Sequence, residues 1–445
     1  MPIGLLRAGT LSALRQHVPR YKKIAADILT LLGQRVVQRA AGLVSIYFLA
    51  RHLAPTLLGQ YQFAGVAIAA IAFTALTGLD NAIMQAVSRG SRGLYRRGLK
   101  VGFAASTVGG LLLGSAALLC RELRPDAVVP LAVGAACFPL YAGLIQWKSV
   151  LLGEGRFSVW SLVESSNALA THGLIVAAVL LDVQDVGVFI TLYLLPTSLI
   201  NVAMTYITWR RCGEGKSDEG DDLFRYGVRT SAINVVGSLS EQVERILIFL
   251  VVGPAALAVF LAGDRLSELV RSVAQDAAAV LAPRFARMSS YSVKLARVIQ
   301  LICLTAGVLI VVFAFTFAPA ILIGVFGPQY SPSIPYAQAL LCSVAIGNVG
   351  QFQFRFIRSQ ANDVAFRDVV LWTSGVRILA CLALVPAFGL WGAVAGIFAH
   401  RLGVSATTSF VLSRRSLSDQ PPQPGTSSEQ PRAASHPAGS EEHTS

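Results

Sequence analysis

Long apolar runs alternate with short, charge-bearing connections along almost the whole chain. Runs of at least twenty mainly apolar residues fall near 27–52, 60–84, 99–119, 127–150, 159–181, 186–209, 227–252, 257–281, 298–319, 335–356, 367–386 and 390–412. Crossing the hydrocarbon core of a bilayer takes about 20 such residues in a helix. The pattern predicts twelve transmembrane helices and no soluble domain between them. The tract Val369–Val411 is about twice the length one span needs, so it is read as two spans. The stretch LALVPAFGLWGAVAG, residues 382–396, places the turn between them at Pro386 to Trp391. Proline ends or kinks a helix, Gly389 and Gly392 permit a tight reversal, and Trp391 suits a membrane interface.

Two flanking segments break the pattern. Residues 4–23 put Leu11, Leu14 and Val18 on one helical face among basic residues, as in a helix lying on anionic headgroups. Residues 417–445 are rich in Pro, Ser, Gln and Glu and predict disorder. The expected organisation is an amphipathic segment 1–24, a six-helix bundle 25–210, a linker 211–224, a second six-helix bundle 225–413 and a tail 414–445.

Composition agrees with this pattern. The chain has 445 residues, 54% hydrophobic and only 14% charged, against roughly 25% charged in soluble domains. The net charge of +13 is unevenly placed. One set of connections carries Arg89, Arg92, Arg96, Arg97, Lys100, Lys148, Arg156, Arg210, Arg211, Arg225, Arg284, Arg287, Lys294, Arg297, Arg358 and Arg367, while the opposite set carries only Arg51, Arg121 and Arg124. Lys and Arg favour the cytoplasmic side, so both termini are expected in the cytoplasm. The bias accounts for the charge without nucleic acid. The six cysteines show no metal-like or redox-like spacing and are read as free thiols. The first apolar run is too long and too polar for a cleaved signal segment.

The chain also looks repeated. IYFLARHLAPTLLGQYQFA (46–64) parallels ILIFLVVGPAALAVFLAG (246–263), aligning Pro55 with Pro254, Leu58 with Leu257 and Tyr61 with Phe260. Two six-helix halves of equal orientation would be related by an axis along the membrane normal, with a site between them.

Polar residues inside the spans mark that site, because charges in a bilayer usually face a cavity or a partner. Asp264, Glu268, Arg271 and Gln275 repeat along one face of the eighth span, beside Arg265 and Asp276. Asn234, Ser238, Glu241, Gln242 and Arg245 form an arc in the seventh. Asp27, Gln34, Gln38 and Ser45 align in the first, flanked by Arg35 and Arg39. Thr74, Thr77, Asn81, Gln85 and Ser88 align in the second, and Arg377 sits in the middle of the eleventh. The substrate-binding candidates are Arg265, Arg35, Arg39, Arg271, Arg245, Arg377, Gln38 and Asn234. The ion-coupling candidates are Asp264, Glu268 and Glu241. His172 reads as a packed or hydrogen-bonded histidine. Guanidinium grips phosphate through paired, charge-assisted bonds, so an arginine-lined cavity predicts an anionic solute. No cofactor and no metal are expected. Coupling to a proton, an ion or the membrane potential stays open.

Four stretches resemble a known family. LVPAFGLWGAVAG, FGPQY (326–330), LARHLAPTLLGQYQFA (49–64) and LLGEGRF (151–157) are similar, in order and spacing, to elements of the polysaccharide transporter family. That family includes O-antigen and exopolysaccharide flippases and belongs to the MATE-like superfamily. The resemblance spans roughly residues 25–415. It implies an all-α membrane fold of two pseudo-symmetric bundles around a central cavity. It also implies alternating-access transfer of undecaprenyl-diphosphate-linked oligosaccharide from the cytoplasmic to the periplasmic leaflet of the bacterial inner membrane. Partners would be that glycolipid, membrane lipids, and the polysaccharide polymerase and chain-length machinery. Asp264–Leu266 is similar to the cavity arginine region of the lipid II flippase, making Arg265 the first candidate for the diphosphate, with Arg35 or Arg39 opposite. The lipid II flippase is expected to have fourteen spans rather than twelve, which disfavours lipid II as cargo. A cation-coupled multidrug exporter of the same fold would need a more acidic cavity. An enzyme acting on the glycolipid would need reactive groups on the far side, and the longest loop there, 318–335, has no Asp, Glu, His, Lys or Arg.

Overall fold

The computed structural model describes residues 5–212, 220–286, 293–359 and 363–414; for 5–28, 220–222, 233–234, 276–286, 293–296, 358, 363–365 and 413–414 it describes the backbone alone. All regular structure among these residues is helical. In chain order the helices are α1 (Leu5–His52), α2 (Pro55–Ile71), α3 (Thr77–Ser88), α4 (Gly93–Leu123), α5 (Val128–Gly143), α6 (Trp147–Gly153), α7 (Phe157–Leu180), α8 (Val186–Arg211), α9 (Gly220–Leu247), α10 (Pro254–Ala286), α11 (Val293–Thr316), α12 (Ala318–Phe326), α13 (Ile334–Ser359), α14 (Asp363–Phe388) and α15 (Leu390–Arg414).

Among the described residues, seven segments are long and apolar enough to cross a membrane: Pro55–Ala75, Gly93–Leu123, Pro125–Gly153, Phe157–Leu180, Val186–Arg211, Arg297–Thr316 and Phe366–Phe388. Five further helices, α1, α9, α10, α13 and α15, have at least 25 residues each. With them, the twelve expected spans each have a helix. Three of these five, α1, α9 and α10, carry the charged stripes of the first, seventh and eighth spans. Such helices need a polar interior surface. The outward faces are apolar, with Leu119, Leu123, Leu180, Leu301, Leu309 and Leu379 strongly exposed, as suits lipid solvent.

Three local features differ from the sequence expectation. First, α1 runs unbroken from Leu5 to His52, so no backbone break separates residues 5–24 from the first span. Second, α8 reaches Arg211 and α9 begins at Gly220, inside the expected linker. Third, the second span is broken. A 3-10 turn covers Ala72–Ala75, and Leu76 adopts left-handed φ 54°, ψ 54° before α3 restarts the chain in a new direction. A side chain there costs about 1–2 kcal/mol, held in place by packing on both sides.

The turn at 386–391 is tighter than predicted. Pro386 lies within the last turn of α14, and Gly389 alone, at φ 57°, separates α14 from α15. The tail beyond Arg414 lies outside the described residues.

One end of the bundle carries the basic connections and is called here the basic end. Glu154 of the LLGEGRF stretch gathers Arg92 at 2.8 Å, Arg211 at 3.5 Å and Arg156 at 3.8 Å there. The opposite end joins the two halves. Pro55 and Pro254, the residues aligned by the repeat, each start a helix. Proline suits the first helical position because its missing N–H would have no partner there. Phe63 of α2 stacks on Phe249 after α9, with ring centroids 3.7 Å apart. A continuous apolar core runs through both, from Leu131 and Ile190 to Leu257, Phe260 and Val385.

Candidate functional site

Between the halves lies a cavity of about 450 Å³ lined from five helices, within the range of roughly 300–1,000 Å³ typical of ligand pockets. From α1 come Gln38, Arg39, Gly42, Ser45, Ile46 and Leu49, spaced along one helical face. From α10 come Arg265, Glu268, Leu269 and Ser272, again one face at i, i+3, i+4 and i+7. Tyr61, Gln62 and Gly65 enter from α2, His172 from α7 and Tyr193 from α8. Both halves therefore contribute, and the two stripes that converge are those of the first and eighth spans.

Arg265 is half exposed, at 47%, and meets Glu268 at 3.1 Å. Glu268 also reaches across to Arg245 at 2.6 Å, and Arg245 pairs with Asp264 at 2.7 Å. Ser267 donates its hydroxyl to Asp264 at 2.5 Å. Arg245 is thus clasped by two carboxylates, and the second carboxylate passes the chain of charge on to Arg265 in the cavity. Arg377 forms a separate, buried, two-pronged bond to Glu244, with Nη2 at 2.6 Å and Nε at 3.2 Å. On the other wall Gln38 donates to Glu164 at 3.3 Å, and Lys148 holds the same carboxylate at 2.8 Å.

The sequence candidates therefore separate. Arg265, Arg39, Gln38 and Glu268 line the cavity. Arg35 is exposed on α1, one turn closer to the basic end than Arg39. Arg271 is half-buried on α10 and lies in the electrostatic field of Asp264 and Arg401. Arg245 and Arg377, expected to grip substrate, are instead held by carboxylates of their own half. Glu241 is exposed and meets Arg377 only through its backbone carbonyl, at 3.4 Å. Asn234 lies on α9, but its side chain is outside the described residues.

Residues beyond the break in the second span do not join the cavity stripe. The expected alignment of Thr74, Thr77, Asn81, Gln85 and Ser88 assumed one continuous helix, and the left-handed Leu76 resets the register. α3 packs instead on α9, where the Gly78 amide donates to Ser231 Oγ at 2.9 Å. Sequence reasoning missed Gln62 and Tyr193. Both are single polar or aromatic residues in apolar runs, without a stripe to mark them. It also missed Glu244, which lies off the arc drawn through Glu241 and Arg245. His172, expected to be packed or hydrogen-bonded, lines the cavity with its buried Nδ1 unpartnered.

Comparison with known proteins places this geometry. No curated protein matches the chain by sequence. An inward-facing multidrug resistance MATE family transporter of the MOP superfamily has a similar structure, with TM-score 0.64 and 13% identity over 88% of this chain and 100% of that chain. The lipid II flippase MurJ, in an inward closed conformation, matches with TM-score 0.64 and 12% identity over 87% of each chain. A MOP superfamily transporter from Pyrococcus furiosus, described as having a binding pocket of reverse polarity, matches with TM-score 0.60 and 14% identity over 88% of this chain and 96% of that one. At these identities the likeness establishes the fold. A family model for polysaccharide biosynthesis proteins matches residues 24–289. With more than half of its length matched by that model, the chain belongs to the polysaccharide biosynthesis protein family, as a multi-pass membrane protein with the MOP-superfamily transporter fold.

Proposed function

We propose that this protein is a flippase for undecaprenyl-diphosphate-linked oligosaccharide, moving it from the cytoplasmic to the periplasmic leaflet of a bacterial inner membrane by alternating access. The observation that carries this reading is the pairing of Arg39 and Arg265, one from each half, on the walls of one cavity. A guanidinium from each side suits a diphosphate, which offers several acceptor oxygens in a fixed geometry. Membership of the polysaccharide biosynthesis family supports a polysaccharide precursor as cargo, and MurJ, of similar fold, is described as a lipid II flippase.

In this reading the two six-helix halves, 25–210 and 225–413, rock about the cavity. The basic end faces the cytoplasm, with both termini there. Arg265 binds the diphosphate, Arg39 assists from the facing wall, and Arg35 attracts the headgroup one turn closer to the entrance. Glu268 releases Arg265 to the substrate while keeping its bond to Arg245, so no buried charge is left unpaired. The membrane potential favours outward movement of an anionic headgroup by about 2.3 kcal/mol per charge per 100 mV. Asp264 and Glu268 are the candidates for an ion or proton that accompanies the return. Polysaccharide polymerase and chain-length proteins are the expected neighbours in the membrane.

A cation-coupled drug exporter is the second reading, favoured by the inward-facing MATE likeness. Its cationic substrates would meet Arg39 and Arg265 in the cavity, which opposes it.

The test uses a deletion host in which synthesis of the glycolipid is inducible. After induction, a membrane-impermeant sugar probe on right-side-out vesicles reports the leaflet. Retention on the cytoplasmic side, relieved by the wild-type gene, is the expected result. Normal periplasmic exposure in the deletion host overturns the assignment to that glycolipid.

A further inference from the structure

The cavity has two chemically different bands. Counting along each helix from the end opposite the basic one at about 1.5 Å per residue, Gln62, Tyr193 and His172 lie about 10–12 Å deep. On the same scale Arg265, Arg39 and Glu268 lie about 16–21 Å deep. The band nearer the basic end is charged. The band farther from it holds no formal charge and is walled by Gln62, His172, Tyr61 and Tyr193.

Gln62 makes this second band more than leftover space. It contributes to the cavity wall and is 6% exposed, and its amide nitrogen and amide oxygen, both closed off just behind that wall, lack a partner within the protein. A buried amide with nothing to bond is expensive, so a native structure keeps one where a ligand or water completes it. The Nδ1 of His172, on the facing helix, is buried and unpartnered as well. Tyr61 and Tyr193 meet edge to face, with ring centroids 6.1 Å apart and an angle of 78° between planes, leaving aromatic surface turned to the cavity.

Resting on the reading that Arg39 and Arg265 hold a lipid diphosphate, we infer that Gln62, His172 and the Tyr61–Tyr193 pair form a separate subsite for the first, uncharged sugar ring. The lipid tail and the glycan lie on opposite sides of the diphosphate. A headgroup entering from the basic end with its phosphates at the arginines therefore carries its first sugar into the neutral band. An amide that can both donate and accept matches adjacent groups of a sugar that do the same, such as a vicinal diol or an acetamido substituent. The aromatic pair covers the C–H face of the ring. The arginines then supply affinity for any lipid diphosphate, and Gln62 supplies selection for a glycosylated one.

The experiment compares binding of two probes to the full-length protein in nanodiscs: undecaprenyl diphosphate without sugar, and the same lipid bearing one N-acetylhexosamine. Wild-type protein is expected to bind the glycosylated lipid roughly tenfold more tightly. Gln62→Leu and Gln62→Met should bring both lipids to the affinity of the sugar-free one. Both variants should melt no lower than wild type, because an unmet polar group is removed. Arg265→Ala should weaken both lipids by the same factor. Equal affinity of wild type for the two lipids, or an unchanged preference in both Gln62 variants, overturns the subsite and leaves the diphosphate reading standing. Failure of wild type to bind either lipid overturns the diphosphate reading and the subsite with it.

Discussion

Arg265 and Arg377 are both guanidinium groups within expected membrane spans, but their surroundings set different consequences for losing them. Arg377 is 8% exposed against a Glu244 that is 1% exposed. Arg377→Ala leaves Glu244 buried without its partner, at a cost of about 3–5 kcal/mol, and thermal unfolding in detergent should show a clear loss of stability. Replacing both together, Arg377→Met with Glu244→Leu, should recover most of it. A single variant as stable as wild type would mean that the pair is solvated. Arg265→Ala should insert and melt normally but lose transport, and Arg265→Lys should restore only part, because a lysine lacks the two-pronged fork. Full recovery by Lys would show that charge alone suffices. The sequence made the arginines visible because charge stands out in an apolar run. It could not sort them, since the sorting depends on Glu244 meeting Arg377 and Glu268 meeting Arg245, each on another helix.

At the scale of the element, the stripes of α1 and α10 were legible because each is one uninterrupted helix, where 100° per residue holds from end to end. The second span defeated the same arithmetic. Nothing in FTALTGLD announces that a leucine takes a left-handed conformation, and tertiary packing of α3 on α9 imposes it. The contact of α2 with α10 carries its own test. A Cβ on Gly59 would fall 1.9 Å from the Pro254 carbonyl oxygen, far inside van der Waals contact. Gly59→Val should therefore hold the opposite end apart and block transport, with a cysteine placed at Leu57 gaining reactivity toward an impermeant maleimide. Unchanged labelling would mean that the helices accommodate the side chain without parting. The four stretches that carried the family resemblance have concrete jobs here. Gln329 of FGPQY donates to the Ala50 carbonyl at 2.6 Å, and Gly389 of LVPAFGLWGAVAG forms the whole turn between the last two helices.

For the whole molecule, the two-fold plan could be read from the repeat and from alternating charge, whereas which end is closed could not. In this state the opposite end is strapped across the halves. Arg51 donates to the Gly324 carbonyl at 2.7 Å, Gln329 to Ala50, and Arg124 Nε to the Leu250 carbonyl at 2.8 Å. These are side-chain bonds to backbone, each worth about 1.5–3 kcal/mol where the donor is charged. Breaking two of them with Arg51→Ala and Arg124→Ala should shift the population toward opening at that end, visible as longer spin-label distances between α2 and α10. Distances that stay fixed would place the strap elsewhere. Transfer of a diphosphate-linked glycan is measurable with purified protein in proteoliposomes, as the rate at which fluorescent undecaprenyl-diphosphate oligosaccharide becomes accessible to an impermeant sugar-cleaving enzyme. Fast transfer is expected with wild type and the background rate with Arg265→Ala. Transfer by wild type no faster than in protein-free vesicles, under an imposed potential and with either ion gradient, would contradict it.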